Sequence, residues 1–160
     1  MKLIKPSFEI LEQALGMEGL YKQIELAGRT CYKSENYITE DSAKEFVDRM
    51  IKLGHGAMLE HGTVYLAIPI DEWEDYDSYI YSYPANAHSS VNSSKVDWDD
   101  WQGLVYITTN LRVLVENGWM DDLKYICEPT EYHEKRVTVK FICDRGVSHE
   151  FVRHKMLCVA

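Results

Sequence analysis

Hydrophobic and polar residues alternate most cleanly over residues 136–143, where Val137, Val139 and Phe141 fall on one face and Thr138 and Lys140 on the other. A period of two is the signature of a strand. Residues 63–70, Thr-Val-Tyr-Leu-Ala-Ile-Pro-Ile, are apolar at nearly every position, which predicts a strand buried on both faces until Pro69 ends it. Residues 103–109 give a further strand. Residues 2–11 read as an edge strand, because Pro6 has no N–H to donate to a ladder.

Between these runs the period lengthens. Leu15, Leu20, Tyr21, Ile24 and Ala27 recur at helical spacing, with Gly28 near the end. Ala43, Phe46, Val47, Met50, Ile51 and Leu53 form the apolar stripe of the strongest helix; Thr39 is its expected cap, Glu40 and Asp41 suit its positive end, and Gly54 stops it. Two shorter helices are predicted, over 111–116 between the cap Asn110 and Asn117-Gly118, and over 120–127 before Pro129. After the turn Asp144-Arg145-Gly146, Ser148 offers a cap for a last helix carrying Phe151, Val152 and His154. Strands and helices in this irregular order predict an α+β domain with a mostly antiparallel sheet flanked by helices.

Composition narrows the class. The 160 residues suit one domain, and 46% apolar with 27% charged residues is globular. No apolar run approaches the roughly 20 residues of a membrane span, and the first residues lack a signal-peptide core, so the expected address is cytoplasmic. A formal net charge of −9 argues against a nucleic-acid partner bound through a broad basic face. It leaves room for a small anion held by a few placed cations. Cys31, Cys127, Cys143 and Cys158 have no metal or redox spacing and are expected reduced and mostly buried.

Residues 71–102 depart from the rest, with clustered acids, Tyr76, Tyr79, Tyr81, Tyr83, Trp73, Trp98, Trp101 and a polar stretch over 86–94. About thirty residues is long for a loop inside a domain. The tyrosines could stack on a heteroaromatic ligand or pack back on their own domain, and the bias of aromatic side chains toward burial favours packing.

Three stretches carry candidate chemistry. His55, Glu60 and His61 lack the spacing of His-Glu-x-x-His, and the inverted form would need His where Ala57 stands, so the expectation is a turn in which Glu60 and His61 bond backbone groups rather than a metal site. Arg29 to Ser34 read as a polar turn with two cations. Arg153-His154-Lys155 sits in a mostly apolar segment of an acidic protein, either as the basic last turn of a helix or as an anion site.

Residues 146–155, Gly-Val-Ser-His-Glu-Phe-Val-Arg-His-Lys, resemble the signature of the flavin-dependent thymidylate synthases (ThyX), in which Arg-His-Arg is followed further on by Ser. Cys-Tyr-Lys-Ser at 31–34 and Gly-His-Gly-Ala-Met-Leu-Glu-His at 54–61 resemble other stretches of that family, and the likeness spans residues 29–34, 54–70 and 109–160. Lys155 replaces the family's second Arg, Cys158 stands where many members have Ser, Ala57 replaces a hydroxyl residue, and Glu150 stands where many have Gln. The motif's final Ser falls past Ala160.

The resemblance implies a ThyX-like fold with its C-terminal portion absent: one incomplete domain over residues 1–160, interrupted by the acidic aromatic insertion at 71–102. It implies conversion of dUMP to dTMP with methylenetetrahydrofolate as one-carbon donor and FAD, recharged by NADPH, as hydride source. Implied cofactor-binding residues are His55, Ala57, Arg153, His154 and Lys155. Implied substrate-binding residues are Glu150, Phe151, Val152 and Arg153. No catalytic side chain is implied within these residues, and no Gly-x-Gly-x-x-Gly follows a strand, so the flavin rests on the resemblance. A homotetramer with sites between subunits is the implied assembly. Weak or absent activity is expected of this stretch alone, the alternative being a degenerate, non-catalytic remnant that keeps fold and interface and binds nucleotide weakly at most.

Overall fold

A computed structural model of the chain describes residues 5–70, 79, 81–93 and 103–152, and they form an α+β fold with two small antiparallel sheets. The larger sheet has the order β2 (Thr63–Ile70), β4 (Gly103–Asn110), β3 (Ser90–Ser93), with β4 central. The smaller is a ribbon of β1 (Ser7–Leu11) and β5 (Thr138–Ile142), with Phe8 opposite Phe141 and Ile10 opposite Val139. The helices are α1 (Gly16–Cys31), α2 (Ser42–Leu53), α3 (Gly56–Leu59), α4 (Leu111–Asn117) and α5 (Arg145–Val152). None among the described residues is long and apolar enough to cross a membrane.

One core holds the larger sheet to its helices. Val64, Leu66 and Ile68 of β2 pair with Thr109, Ile107 and Val105 of β4, so they share one face of the sheet. That face joins Leu20 and Ile24 of α1, Phe46, Val47 and Met50 of α2, and Leu111 and Leu114 of α4 in a single buried cluster. Thr63, Tyr65 and Ala67, on the opposite face, are only half-buried, so the expected double burial of this strand is partial. Pro69 pairs with Leu104 instead of ending β2. β2 is an outer strand of its sheet, where a missing N–H is tolerated.

Gly28 does not end α1. A Cβ there would lie 2.5 Å from Cζ of Phe46, so the glycine admits the α2 ring against the α1 backbone and the helix continues to Cys31. The stop is a Schellman turn: Ser34 N–H donates to the Arg29 carbonyl at 2.8 Å and Lys33 N–H to that of Thr30 at 3.2 Å, with Lys33 at φ 51. α2 closes in the same way, with Gly54 at φ 68 and His55 N–H donating to the Met50 carbonyl at 3.0 Å.

Other boundaries also moved. Thr39 is not the cap of α2; its own N–H donates to Ser42 Oγ at 2.9 Å, and Leu53, placed in the apolar stripe, is exposed in the last turn. Asn110 does cap α4, its Oδ1 accepting from Val113 N–H at 3.0 Å, and Gly118 ends it. Met120–Tyr125 is a 3-10 helix. Asp144 rather than Ser148 caps α5, since its Oδ1 accepts from the N–H groups of Gly146 at 2.7 Å and Val147 at 3.1 Å, while Ser148 lies inside the helix and donates to the Arg145 carbonyl.

Trp73, Tyr76, Trp98 and Trp101 lie outside the described residues. Within the insertion, residues 90–93 are strand β3 rather than loop. Tyr83 is buried against Trp119 with ring centroids 4.5 Å apart and donates to Asp122 at 2.7 Å; Tyr79 donates to the same carboxylate at 3.3 Å. These two tyrosines pack back on the domain, and Tyr81 is exposed. Cys31 is exposed and Cys127 and Cys143 are half-buried, which corrects the expectation of mostly buried thiols.

Candidate functional site

The turns after α1 and α2 meet at the surface. Tyr32 Oη lies 3.2 Å from His55 Nδ1, and both side chains are exposed, as is Ala57 in the short α3 that follows. Two of the segments singled out in the sequence thus share one patch.

Beneath it the α1–α2 joint is ionic. Glu25, 1% exposed, accepts from Arg29 Nε at 3.2 Å and Nη2 at 3.1 Å through one oxygen, and from Ser42 Oγ at 2.9 Å through the other. The Arg29 guanidinium also lies 4.9 Å from the Phe46 ring centroid. Mostly buried and paired in this way, Arg29 is a structural cation in the last turn of α1, not a cation of a solvated turn.

Glu60 bonds a side chain as well. It forms an ion pair with Arg112 of α4, which also reaches Glu116 at 2.6 Å. Hydrogen bonds to Glu116 and then Glu60 raise the guanidinium above its ordinary value and tie α3 to α4. A Cβ at Gly56 would stand 2.9 Å from Arg112 Nε, so glycine makes room for that tie. His61 is half-buried, and desolvation lowers its imidazole from the ordinary value. Among the described residues no group of three His, Cys, Asp or Glu side chains could hold a metal ion.

Glu150 and Phe151 lie on α5, with Val152 at its end, and Phe151 stacks on Phe141 of the ribbon with centroids 5.0 Å apart. Among the described residues α5 has no extensive packing against α2 or α3. Within one chain, then, the described part of the expected substrate segment is not gathered to the His55 patch. Arg153, His154, Lys155 and Cys158 lie outside the described residues.

Sequence reasoning missed His133. It is buried between the edges of Tyr65 and Tyr106, with centroids at 5.3 and 5.2 Å; Nε2–H donates to the Leu66 carbonyl at 3.0 Å, and Nδ1 accepts from Thr130 N–H at 3.0 Å. Burial lowers its imidazole and raises the Cys127 thiol, so each favours the neutral form. Cys127 Sγ lies 3.9 Å from Nε2, whose hydrogen is already engaged by Leu66, so His133 is no base for that thiol. Thr130, placed to turn the chain three residues earlier, is the one local signal. A cleft of ≈ 330 Å³ beside this loop, between the ribbon and β2, is lined by Ile10, Leu15, Tyr65, Cys127, Arg136 and Val137 among others. No family model, curated protein or solved structure matches the chain.

Proposed function

We propose that the chain acts as a flavin-dependent thymidylate synthase of the ThyX kind, holding FAD against the Tyr32–His55 patch. What carries the reading is the meeting of two segments that resemble that family, through the 3.2 Å contact between residues 23 apart in sequence. The patch suits a flat ring system bearing carbonyl acceptors. The two rings offer aromatic faces and an imidazole N–H, and Ala57 adds little bulk.

Bound FAD would supply the hydride that reduces the transferred one-carbon unit, with methylenetetrahydrofolate, dUMP and NADPH as the other reactants. This chain's own residues bind and orient. Arg153 suits phosphate or a flavin oxygen because its planar guanidinium offers paired donors; His154 adds a donor, and Lys155 adds charge without that fork. Glu150, Phe151, Val152 and Arg153 would contact dUMP. Because Phe151 of α5 stacks on Phe141 of its own chain's ribbon, a cytoplasmic homotetramer, in which one copy's α5 end approaches another's His55, fits the reading better than a monomer does.

The same lack of packing favours a second reading, a non-catalytic remnant. FAD titration of the purified chain, followed by flavin absorbance and fluorescence, separates them. Saturable uptake, with dUMP affinity that Arg153→Ala abolishes, supports the synthase. No uptake, or dUMP binding indifferent to Arg153→Ala, leaves the remnant.

A further inference from the structure

We infer that Tyr32 is a positioning residue, whose phenol hydrogen, donated to His55 Nδ1, fixes the imidazole as the Nε2–H tautomer and so presents that N–H to an acceptor on the bound heteroaromatic cofactor. The inference rests on the flavin reading of the patch for its ligand, but not for the tautomer. A neutral imidazole has one donor and one acceptor nitrogen, and the contact at Nδ1 decides which is which. Were Nδ1–H the donor, it would have to bond a phenol oxygen whose lone pair is drawn into the ring. With Tyr32 donating, the stronger donor meets the stronger acceptor. Nε2 has no partner among the described residues, so its hydrogen stays available at the surface.

The backbone fixes both partners. Tyr32 sits between the last turn of α1 and Lys33, whose left-handed φ of 51 is locked by the two Schellman hydrogen bonds. His55 directly follows Gly54, locked in the same motif at the end of α2. The two helices pack on one another through Gly28 and Phe46, so the ring pair is carried by the joint of two rigid elements. Residues oriented in this way lose little freedom when a ligand arrives.

Nitrogen-15 spectra of the histidine side chains in the ligand-free chain, above the pH at which imidazoles are charged, test the tautomer, with His55→Gln identifying the signal. The expected result is a protonated Nε2 and a bare Nδ1 in the wild type, and a mixture of tautomers in Tyr32→Phe. FAD affinity should weaken about three- to tenfold in Tyr32→Phe, the size of one neutral hydrogen bond. A wild-type Nδ1 that carries the hydrogen overturns the inference without any variant. So does a tautomer unchanged by Tyr32→Phe, or an FAD affinity equal to that of wild type. A wild-type chain that takes up no FAD overturns the flavin reading and the ligand named here, while the nitrogen-15 spectra still decide the tautomer.

Discussion

β4 carries a continuous apolar run from Leu104 to Ile107 and β5 an alternating one, and Val105 and Ile107 of β4 are fully buried, whereas Val137 beside β5 and Phe8 of its partner β1 keep 64% and 68% of their surface. The difference lies in the number of neighbours. β4 pairs on both edges and shares its core face with α1, α2 and α4, while among the described residues β5 pairs only with β1. A two-stranded ribbon is marginal by itself, and this one is tied to the body by particular hydrogen bonds. Gln13, just past β1, donates to the Thr63 carbonyl at 2.8 Å and accepts from Thr63 N–H at 2.9 Å, and Arg136 N–H donates to Tyr65 Oη at 3.2 Å. Alternation specifies a strand; packing layers specify its burial.

That contrast can be broken most directly in the core. Leu66→Ala in β2 should lower unfolding stability by about 2–5 kcal/mol in denaturant titration, because a fully buried side chain leaves a cavity, and a loss below about 1 kcal/mol would contradict the shared core.

Glu25→Ala should cost about 3 kcal/mol by leaving Arg29 mostly buried and unpaired. Adding Arg29→Met to it should restore part of that loss; a double variant no better than Glu25→Ala would show that the packing of the arginine, not its charge, matters.

pH sharpens the picture at the loop between body and ribbon. Burial lowers the folded-state value of His133, with the Leu66 hydrogen bond opposing, so its contribution is fully present above the ordinary 6.5 and is lost as pH falls from there toward the lowered value. His61 acts in the same direction. The fall in stability on acidification below 6.5 should therefore be shallower in His133→Asn than in wild type, and equal slopes would remove His133 from the account.

The smallest effect belongs to the ribbon. Phe8→Ala should change stability by less than about 0.5 kcal/mol in the isolated chain, as expected for an exposed site. A larger, concentration-dependent loss would show that a second copy covers the ribbon in solution.

Much of the fold was legible in the local sequence. The Asn110 cap, the Gly54 and Gly118 stops and the stripe from Ala43 to Met50 each depend on residues within a turn or two, where period and capping chemistry act. Gly28 and Ser148 misled for a matching reason. Gly28 serves a ring on another helix, and Ser148 was displaced by an acid four positions earlier whose oxygen reaches two free N–H groups at once.

The candidate site was legible only in part. His55 and Ala57 could be singled out from their own segment, but Tyr32, 23 residues away, joins them only once α1 and α2 have packed. The partner of Glu60 stands 52 residues on, and the Leu66 carbonyl that fixes His133 is 67 residues from it. The sequence alone determined most of the strands and helices, though not β3 or α3, and where several of them stop, because those choices are made between near neighbours. Tertiary structure decided which apolar faces are covered, which charges are paired and which nitrogen of a histidine holds its hydrogen, because each depends on a partner that only the folded chain brings within reach.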